Sequence, residues 1–286
     1  MIRAATRGSA LARWQTDHVT RLMSEASSGM VDPLVVSTAG DRDKTTPLHE
    51  IGGKGVFVKE VQAAVLDGRA DIAVHSAKDL PALTPDGLVI CAVPERADPR
   101  DVLVGSSLDG LRNGATVGTG SIRRQVQLIA HRPDLELVEI RGNIDTRLGL
   151  VGELDAVVMA AAALDRLERT PAVLERLDVE TMLPQVGQGT LAVECRADDL
   201  GTIAALSSID NARSRRVLEA ERGFLVELGG DCDLPAGAFA QRVGDELLVR
   251  AMLSDGDGII LHASQQGTDG VAVGRALAIE LRAQLP

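Results

Sequence analysis

The residues best suited to chemistry lie in one heptapeptide, 75–81, which reads His-Ser-Ala-Lys-Asp-Leu-Pro. The apolar run 72–74 before it predicts a buried strand of an α/β sheet. The polar residues then follow at the carboxyl end of that strand, where open α/β sheets bind their ligands. Lys78 and Asp79 are adjacent there, and Pro81 ends the turn. Taken alone, the motif fits a solvated turn without a ligand equally well.

Arginine recurs where predicted strands end. Arg7 and Ser9 follow the first strand at a strand-to-helix corner, which is a natural anion site, although a helix cap beside a surface arginine explains them as well. Arg123 and Arg124 fall in the first turn of a helix capped by Ser121, where cations oppose the helix dipole. The sequence therefore favours a bound anion at these two arginines, since bidentate arginine is the usual receiver of carboxylate or phosphate. Further arginines follow later strands, at Arg141, Arg147 and Arg166.

A long polar stretch, 38–55, precedes a second group of cations. It lacks periodicity and has the length of a loop that is functional or disordered. Its end, Gly-Gly-Lys-Gly at 52–55, resembles a phosphate loop only superficially, because the Walker pattern requires Ser or Thr after the lysine. Lys54 and Lys59 are predicted to lie near the N-terminus of the helix that follows Phe57. Solvation is the simpler interpretation of each lysine.

The three cysteines, Cys91, Cys195 and Cys232, lie far apart, which argues against a disulfide framework and a Cys-x-x-Cys metal site. Cys91 lies in an apolar strand and is predicted to be a core thiol. Cys232 has Gly, Asp and Pro as neighbours, so it is predicted to be more accessible and more reactive. Its two flanking aspartates disfavour a thiolate that acts in every turnover, so an inert loop cysteine stays open as the alternative.

Composition excludes several function classes. The chain has 286 residues, of which 45% are hydrophobic, enough for about two or three domains. Three Phe, one Trp and no Tyr nearly exclude base stacking on aromatic side chains. The net charge of −11 argues against general affinity for nucleic acid or anionic membranes. The start lacks an apolar signal core, and the longest small-apolar run, 156–164, is too short to cross a bilayer. A soluble cytoplasmic protein is expected, and no cluster of metal ligands is visible.

The order of predicted elements indicates an α/β chain with two crossings. Polar segments at 94–101 and 184–189 form the crossings, and 190–194 is predicted to return a strand to the first domain. The predicted domains are 1–94 with 190–210, then 95–189, then a small α+β domain at 211–286. Two lobes joined twice also predict a cleft that can hinge. The predicted strands are at 2–6, 34–36, 72–74, 88–93, 115–117, 135–140, 155–159, 190–194, 247–253 and 259–263, and the main predicted helices are at 10–23, 211–228 and 271–285.

Together these motifs resemble one known family, hydroxymethylbilane synthase, also called porphobilinogen deaminase, of tetrapyrrole biosynthesis. The resemblance covers nearly the whole chain. The chain departs from the family's usual pattern before Cys232, where Asp231 replaces a second Gly, and mildly at Gly120 and Ile122. The shared segments are 5–9 (Ala-Thr-Arg-Gly-Ser), 52–55 with Phe57 and Lys59, 75–79, 118–125 (Gly-Thr-Gly-Ser-Ile-Arg-Arg-Gln), 141–143 (Arg-Gly-Asn), 186–189 (Val-Gly-Gln-Gly) and 194–196 (Glu-Cys-Arg).

The resemblance implies an α/β fold with two periplasmic-binding-protein-like lobes and a third, small α+β domain. It implies a cytoplasmic monomer that binds porphobilinogen, with no nucleic acid or membrane as partner. It also implies a dipyrromethane cofactor, made from the substrate and joined through a thioether to Cys232. The implied activity is that of a transferase. Four porphobilinogen molecules lose ammonia and condense head to tail on the cofactor, and hydrolysis then releases hydroxymethylbilane.

The residues fit that chemistry. Each added pyrrole brings an acetate and a propionate, so the growing polyanion needs many cations. Loss of ammonia leaves an azafulvenium cation that a fixed carboxylate would stabilise, and Asp79 is the only carboxylate in the heptapeptide. Asp79 can also accept the pyrrole N–H and assist proton transfer. The stretch 38–55 is a candidate lid.

The resemblance assigns three sets of site residues and no metal. The catalytic set is Asp79, Lys78, Arg7, Lys54 and Lys59. The cofactor-binding set is Cys232, Asp79, Ser76, Lys78, Thr119, Ser121, Arg123, Arg124, Arg141 and Gly142. The substrate-binding set is Arg7, Ser9, Phe57, Arg141, Asn143, Arg147, Arg166 and Gln188.

One alternative from another class stays open. A non-catalytic, two-lobed binding protein for small carboxylates explains the arginines and the cleft equally well. It does not explain an exposed cysteine in a third domain, and the absence of a signal sequence argues against a periplasmic receptor.

Overall fold

The computed structural model describes residues 1–38, 57–229, 235–256 and 258–285. They form two compact units: unit 1 is Met1–Ala97 with Thr190–Arg216, and unit 2 is Asp98–Gly189 with Val217–Pro286. The predicted division into three domains remains a prediction. Lys54, the segment 52–55 and Cys232 lie outside the described residues.

Strands and α-helices alternate through much of the described chain. The strands are β1 (Ile2–Arg7), β2 (Val31–Val36), β3 (Ile72–Ser76), β4 (Leu88–Ala92), β5 (Asp101–Val104), β6 (Thr116–Gly118), β7 (Glu136–Val138), β8 (Ala156–Ala160), β9 (Leu174–Arg176), β10 (Leu191–Arg196), β11 (Ala236–Val243), β12 (Glu246–Ser254) and β13 (Ile260–Gly267). The α-helices are α1 (Ala10–Glu25), α2 (Lys59–Leu66), α3 (Ile122–His131), α4 (Ile144–Leu148), α5 (Ala161–Arg166), α6 (Leu200–Leu206), α7 (Ala212–Leu228) and α8 (Gly270–Gln284). Short 3-10 helices lie at Ala77–Asp79 and Ser207–Ile209.

Unit 1 is built on a five-stranded mixed sheet with the order β2-β1-β3-β10-β4. β1 runs parallel to β2 and β3, whereas β10 runs antiparallel to β3 and β4, which confirms the predicted return of the chain to the first sheet. The first four residues of β3 are buried because helices cover both faces. Val19 and Met23 of α1 pack in one of the two cores, and Val61 and Val65 of α2 pack in the other.

The larger sheet of unit 2 has the order β7-β6-β8-β5-β9. β6 runs parallel to β7 and β8, and β5 runs antiparallel to β8 and β9. Every residue of β8 is buried, which explains its continuous small-apolar sequence. No strand was predicted from the sequence at β5, and this was wrong. β5 begins at Asp101, at the end of the predicted crossing, and all four of its residues are buried.

Unit 2 also contains a small antiparallel sheet with the order β11-β12-β13. Helix α8 packs against β12 and β13, and its Leu277 and Leu281 are fully buried. β12, β13 and α8 lie close to the predicted bounds, so the α/β class with a small α+β region is confirmed. β11 was not predicted, because its Ala-Gly-Ala start hides the alternation of a half-buried strand.

The remaining differences are local. The predicted strand 135–140 is reduced to β7, and β9 was not predicted. Among the described helices, none is long and apolar enough to cross a membrane. The described residues also bring together no group of three or more His, Cys, Asp or Glu side chains that could hold a metal ion.

Candidate functional site

The heptapeptide 75–81 contributes to an open pocket in unit 1. β3 delivers His75 and Ser76 to this pocket, and the 3-10 helix that follows delivers Asp79. The polar residues that line it are Arg7, Ser9, Gln15, His75, Ser76 and Asp79, and the apolar ones are Leu11, Ala12, Phe57, Val58, Val61 and Val74.

Backbone hydrogen bonds hold the turn that carries Asp79. The Ala77 N–H donates to the Thr190 carbonyl at 2.9 Å, and the Leu80 N–H donates back to the Ala77 carbonyl at 3.3 Å. Asp79 and Lys78 are both half-buried, but only Asp79 lines the pocket. Of the two adjacent charges that the sequence singled out, the fold therefore brings the carboxylate alone to the pocket wall.

A second charged group reaches the pocket from the corner between β1 and α1. The guanidinium carbon of Arg7 lies 4.0 Å from the centroid of the Phe57 ring, a cation–π contact. Ser9 caps α1 as predicted, because its hydroxyl oxygen accepts from the Ala12 N–H at 3.2 Å. Lys59, the first residue of α2, is exposed and does not line the pocket.

Two polar lining residues were not proposed from the sequence as site residues. Gln15 is buried on α1, and its Nε2 donates to the Ser76 hydroxyl at 2.8 Å. His75 is buried at the end of β3. A signal for Gln15 was present, because it lies four residues after Leu11 on the helical face that the apolar spacing turns inward.

In unit 2, Arg123 and Arg124 occupy the first turn of α3, as predicted, but their anion comes from the chain itself. Arg123 Nη2 donates to Asp101 Oδ2 at 2.7 Å, and Arg124 Nη2 donates to Asp101 Oδ1 at 2.7 Å. Both guanidiniums are buried, and backbone carbonyls of Leu183 and Val158 accept further bonds from them. Asp101 therefore supplies part of the negative charge that the sequence predicted beside these arginines, but one carboxylate offsets only one of two guanidiniums, and a net positive charge remains on the three side chains. Their contact with the cofactor stays a prediction.

Asp101 is also the partner of Gln188. The fully buried amide of Gln188 donates to Asp101 Oδ1 at 2.9 Å and to the Pro99 carbonyl at 2.7 Å. Burial alone would raise the pKa of Asp101, but the charges and hydrogen bonds of Arg123 and Arg124 outweigh it and hold that pKa below its usual value. Gln188 thus supports an internal network, and this geometry gives no support to its predicted contact with substrate.

The segment that follows β7 retains unused hydrogen-bonding capacity. Among the described residues, Nη1 of Arg141 is buried without a hydrogen-bond partner. Gly142 has φ +106°, and a Cβ there would lie 2.7 Å from the Thr146 side chain, so glycine is required. Asn143 caps α4 by accepting from the Thr146 N–H at 2.8 Å, and Arg147 lies half-buried on that helix.

The remaining predicted site residues of unit 2 lie in its interior or at helix ends. Thr119 is fully buried, and its hydroxyl accepts from the Ser121 N–H at 3.2 Å. Ser121 occupies the cap position of α3, but its side chain makes no capping bond, contrary to the prediction. Arg166 ends α5 and donates to the Gly189 carbonyl at 2.8 Å, and burial lowers its pKa to about 10.

Comparison with known proteins gives the family. Residues 2–204 match the model described as porphobilinogen deaminase, dipyromethane cofactor binding domain, and residues 216–283 match porphobilinogen deaminase, C-terminal domain. The chain belongs to the porphobilinogen deaminase family. The porphobilinogen deaminase of Syntrophus aciditrophicus is 48% identical over 258 residues, covering 88% of this chain and 84% of that protein. The one of Roseiflexus sp. is 46% identical over 284 residues, covering 96% and 94%.

Among solved structures, the methionine binding protein MetQ is similar at a TM-score of 0.45 and 10% identity, covering 75% of this chain and 91% of that one. Because this structural similarity is weak, the fold assignment rests on the sheets described above and not on the likeness to MetQ. The resemblance stated from the sequence motifs is confirmed by the family match, and porphobilinogen deaminases bind a dipyromethane cofactor through the domain that residues 2–204 match.

Proposed function

We propose that this chain is a hydroxymethylbilane synthase, the transferase that condenses four porphobilinogen molecules on a dipyrromethane primer and releases hydroxymethylbilane and ammonia. Membership of the porphobilinogen deaminase family supports the reaction class. The single observation that carries the proposal within the structure is the half-buried carboxylate of Asp79 in the wall of the unit 1 pocket.

Asp79 is proposed to act on the reacting pyrrole. Departure of ammonia from the aminomethyl group leaves a cation that is delocalised onto the ring nitrogen. A fixed carboxylate stabilises that developing charge more than it stabilises the neutral ring, and so it lowers the barrier. A carboxylate oxygen of Asp79 would accept the pyrrole N–H, which also orients the ring. A carboxylate oxygen of Asp79 would then take up the proton that the α-carbon of the attacking pyrrole releases when the new carbon–carbon bond forms.

The other lining residues are proposed to position the substrate. Arg7 would bind a substrate carboxylate, and its cation–π contact with the Phe57 ring helps to hold the guanidinium in place. Gln15 fixes the Ser76 hydroxyl through its 2.8 Å hydrogen bond. Lys78 and Lys59 would add positive charge without contacting the reacting carbon, and Lys54 is assigned the same role from the resemblance alone.

The residues of unit 2 fit an acidic cofactor. In the described chain, Nη1 of Arg141 and Nε of Arg123 are buried and have no hydrogen-bond partner. Buried donors are nearly always satisfied, so these two retain capacity for a carboxylate of a ligand. We assign contacts with the acidic side chains of cofactor or substrate to Thr119, Ser121, Arg123, Arg124, Arg141, Gly142, Asn143, Arg147 and Arg166, and, with the least support, to Gln188.

The cofactor is proposed to be joined to Cys232 through a thioether. When bound, dipyrromethane supplies the free pyrrole position to which new units are added. The other two cysteines are poor anchors, because Cys195 is fully buried and the Cys91 thiol donates to the Val193 carbonyl at 3.1 Å within the sheet. A monomeric state and a cytoplasmic location stay predictions.

The proposal is tested by mixing the purified protein with porphobilinogen and measuring released ammonia and the linear tetrapyrrole. Turnover supports the enzyme. Stoichiometric binding of porphobilinogen without ammonia release would instead support the non-catalytic binding protein.

The anchor has its own test. Intact-mass measurement of the purified protein should give an excess equal to two pyrrole units, and Cys232→Ser should lose that excess. An excess that persists in Cys232→Ser would move the anchor to Cys91 or Cys195.

A further inference from the structure

A buried polar cluster lies behind the pocket of unit 1. It consists of His75 on β3, Glu194 on β10 and Gln62 on α2, all three less than a tenth exposed. His75 lines the pocket, whereas Glu194 and Gln62 do not. In the antiparallel pairing of β3 with β10, Glu194 lies opposite Ala73, so its side chain is on the same face of the sheet as that of His75.

The contacts within this cluster converge on one carboxylate. Glu194 Oε2 accepts from Gln62 Nε2 at 2.8 Å and lies 3.2 Å from His75 Nε2. The imidazole nitrogen is within ion-pair range, but it is not aligned as a hydrogen bond. Glu194 Oε1 is buried and has no hydrogen-bond partner in the described chain.

Burial of the Glu194 carboxylate with one unbonded oxygen lowers the stability of the fold unless a nearby positive charge compensates for it or the residue has a function. An ionised carboxylate buried without a cation is strongly disfavoured. Within the described residues, the basic group within ion-pair distance of Glu194 is the imidazole of His75, and no lysine or arginine lies as close. At a separation of 3.2 Å behind the pocket, the carboxylate of Glu194 and the imidazole of His75 therefore restrict each other's position.

We propose that Glu194 is a positioning residue that acts on the pocket through His75, an inference that rests on the function proposed above. Glu194 fixes the imidazole as part of the pocket wall, and through it the end of β3, which carries Ser76, and the 3-10 helix that follows, which carries Asp79. β10 and the residue just before it then hold the catalytic turn at two points. One is the Thr190 carbonyl, which accepts from the Ala77 N–H, and the other is Glu194 behind His75.

The test compares Glu194→Gln with a variant of its neighbour. Glutamine keeps the volume and can still accept from Gln62, but it removes the charge that faces His75. We expect kcat to fall by roughly 10- to 100-fold, as for a small misplacement of a reacting group, while KM for porphobilinogen changes by less than about threefold. Cys195→Ala is the control, because Cys195 is fully buried on the same strand and does not line the pocket. It should lower the melting temperature and leave kcat within about twofold.

A double-mutant cycle with His75→Gln tests the route of the effect. If Glu194 acts through His75, the double variant should be no slower than the slower single variant, because both changes disable one unit. If Glu194→Gln does not fold, Gln62→Leu carries the test, with kcat expected to fall by about threefold at unchanged KM.

Three results would overturn the proposal: normal kcat in Glu194→Gln, equal losses in Glu194→Gln and Cys195→Ala, or losses that add in the double variant. Failure of the proposed function itself would be seen separately, as wild-type protein that releases no ammonia from porphobilinogen.

Discussion

Arginine stands at a strand-to-helix corner in each unit, and the two corners differ in what the arginine contacts. At the corner between β1 and α1, Arg7 lies over Phe57 beside an open pocket. At the corner between β6 and α3, Arg123 and Arg124 are buried and share the carboxylate of Asp101. The first corner presents its cation directly to the pocket, whereas the second ties its two cations to a buried carboxylate of its own sheet, which holds the sheet to the helix.

The difference comes from a residue that is distant in sequence. Asp101 lies at the start of β5, more than twenty residues before the two arginines with which it forms ion pairs. A buried guanidinium is costly without a compensating partner, so the position of Asp101 decides how these two arginines are held. A basic residue after a strand is therefore held by a buried carboxylate of the chain in one corner and faces the pocket in the other.

The largest effect is expected from Asp101→Asn. Removing one partner of a buried ion pair leaves uncompensated charge and costs about 3–5 kcal/mol, and in this case two arginines are affected. Denaturant unfolding of wild type and variant measures the loss. Asp145→Asn is the control, because the ion pair of Asp145 with Arg169 is exposed and should matter little. Equal stability of Asp101→Asn and wild type would mean that the second corner does not depend on its internal anion.

The same carboxylate gives a pH dependence. The pKa of Asp101 in the folded protein lies below its ordinary value of 3.8. Its ionised form therefore contributes stability above about pH 4, and that contribution is lost as the pH falls further. Wild type should lose stability on acidification through this range more steeply than Asp101→Asn. Parallel acid unfolding curves would contradict the assignment.

The next largest effect is expected on turnover, at the first corner's pocket. Asp79→Asn keeps the shape of the side chain and removes its charge, so kcat should fall by about 10²- to 10³-fold while the melting temperature stays near wild type. Ammonia release under saturating porphobilinogen measures it. Asp17→Asn, an exposed change on α1 away from the pocket lining, is the control. Near-normal turnover of Asp79→Asn would remove Asp79 from the mechanism.

Replacing arginine by lysine should lower stability at the corner between β6 and α3, and weaken substrate binding at the corner between β1 and α1. Arg124→Lys loses the fork that bonds both Asp101 and the Val158 carbonyl, so the free energy of unfolding should fall by about 1.5–3 kcal/mol. Arg7→Lys should leave stability unchanged and raise KM for porphobilinogen by roughly tenfold, because an ammonium group cannot bind a carboxylate bidentately. The opposite pattern, with Arg7→Lys unstable and Arg124→Lys impaired only in KM, would invert the comparison.

The comparison of the two corners also shows which features of the structure could be predicted from the sequence. The apolar run before the heptapeptide placed Asp79 at the end of β3, and Ser9 was predicted correctly as the cap of α1, because both depend on neighbours a few residues away. The role of Asp101 was missed because the proline-punctuated segment before it was interpreted as a crossing. Nothing in the neighbouring sequence indicates that a strand begins with a buried charged residue such as Asp101.

Glu194 illustrates the same limit. The sequence placed it at the end of the predicted strand 190–194 and in the shared segment 194–196 but did not mark it as a site residue, and its partners His75 and Gln62 come from two other elements. Such partners lie more than a hundred residues apart in the chain and meet only in the folded sheet. Long-range pairs of this kind become apparent only in the folded chain, whereas caps, strand ends and loop glycines follow from local sequence.

The smallest expected effect compares the two serines at the corners. Ser9→Ala removes the acceptor of the Ala12 N–H and should destabilise unit 1 by about 1 kcal/mol. Ser121→Ala removes no capping bond, because the side chain of Ser121 makes none and its backbone carbonyl already accepts from Arg124 and Gln125. The effect of Ser121→Ala on the free energy of unfolding should be close to zero.

Hydrogen exchange of the first-turn amides measures the stability of each helix start separately. We expect faster exchange in α1 of Ser9→Ala and no change in α3 of Ser121→Ala. Faster exchange in α3 would show that Ser121 does cap its helix. The stability of the start of α3 would then depend less on the ion pairs with Asp101.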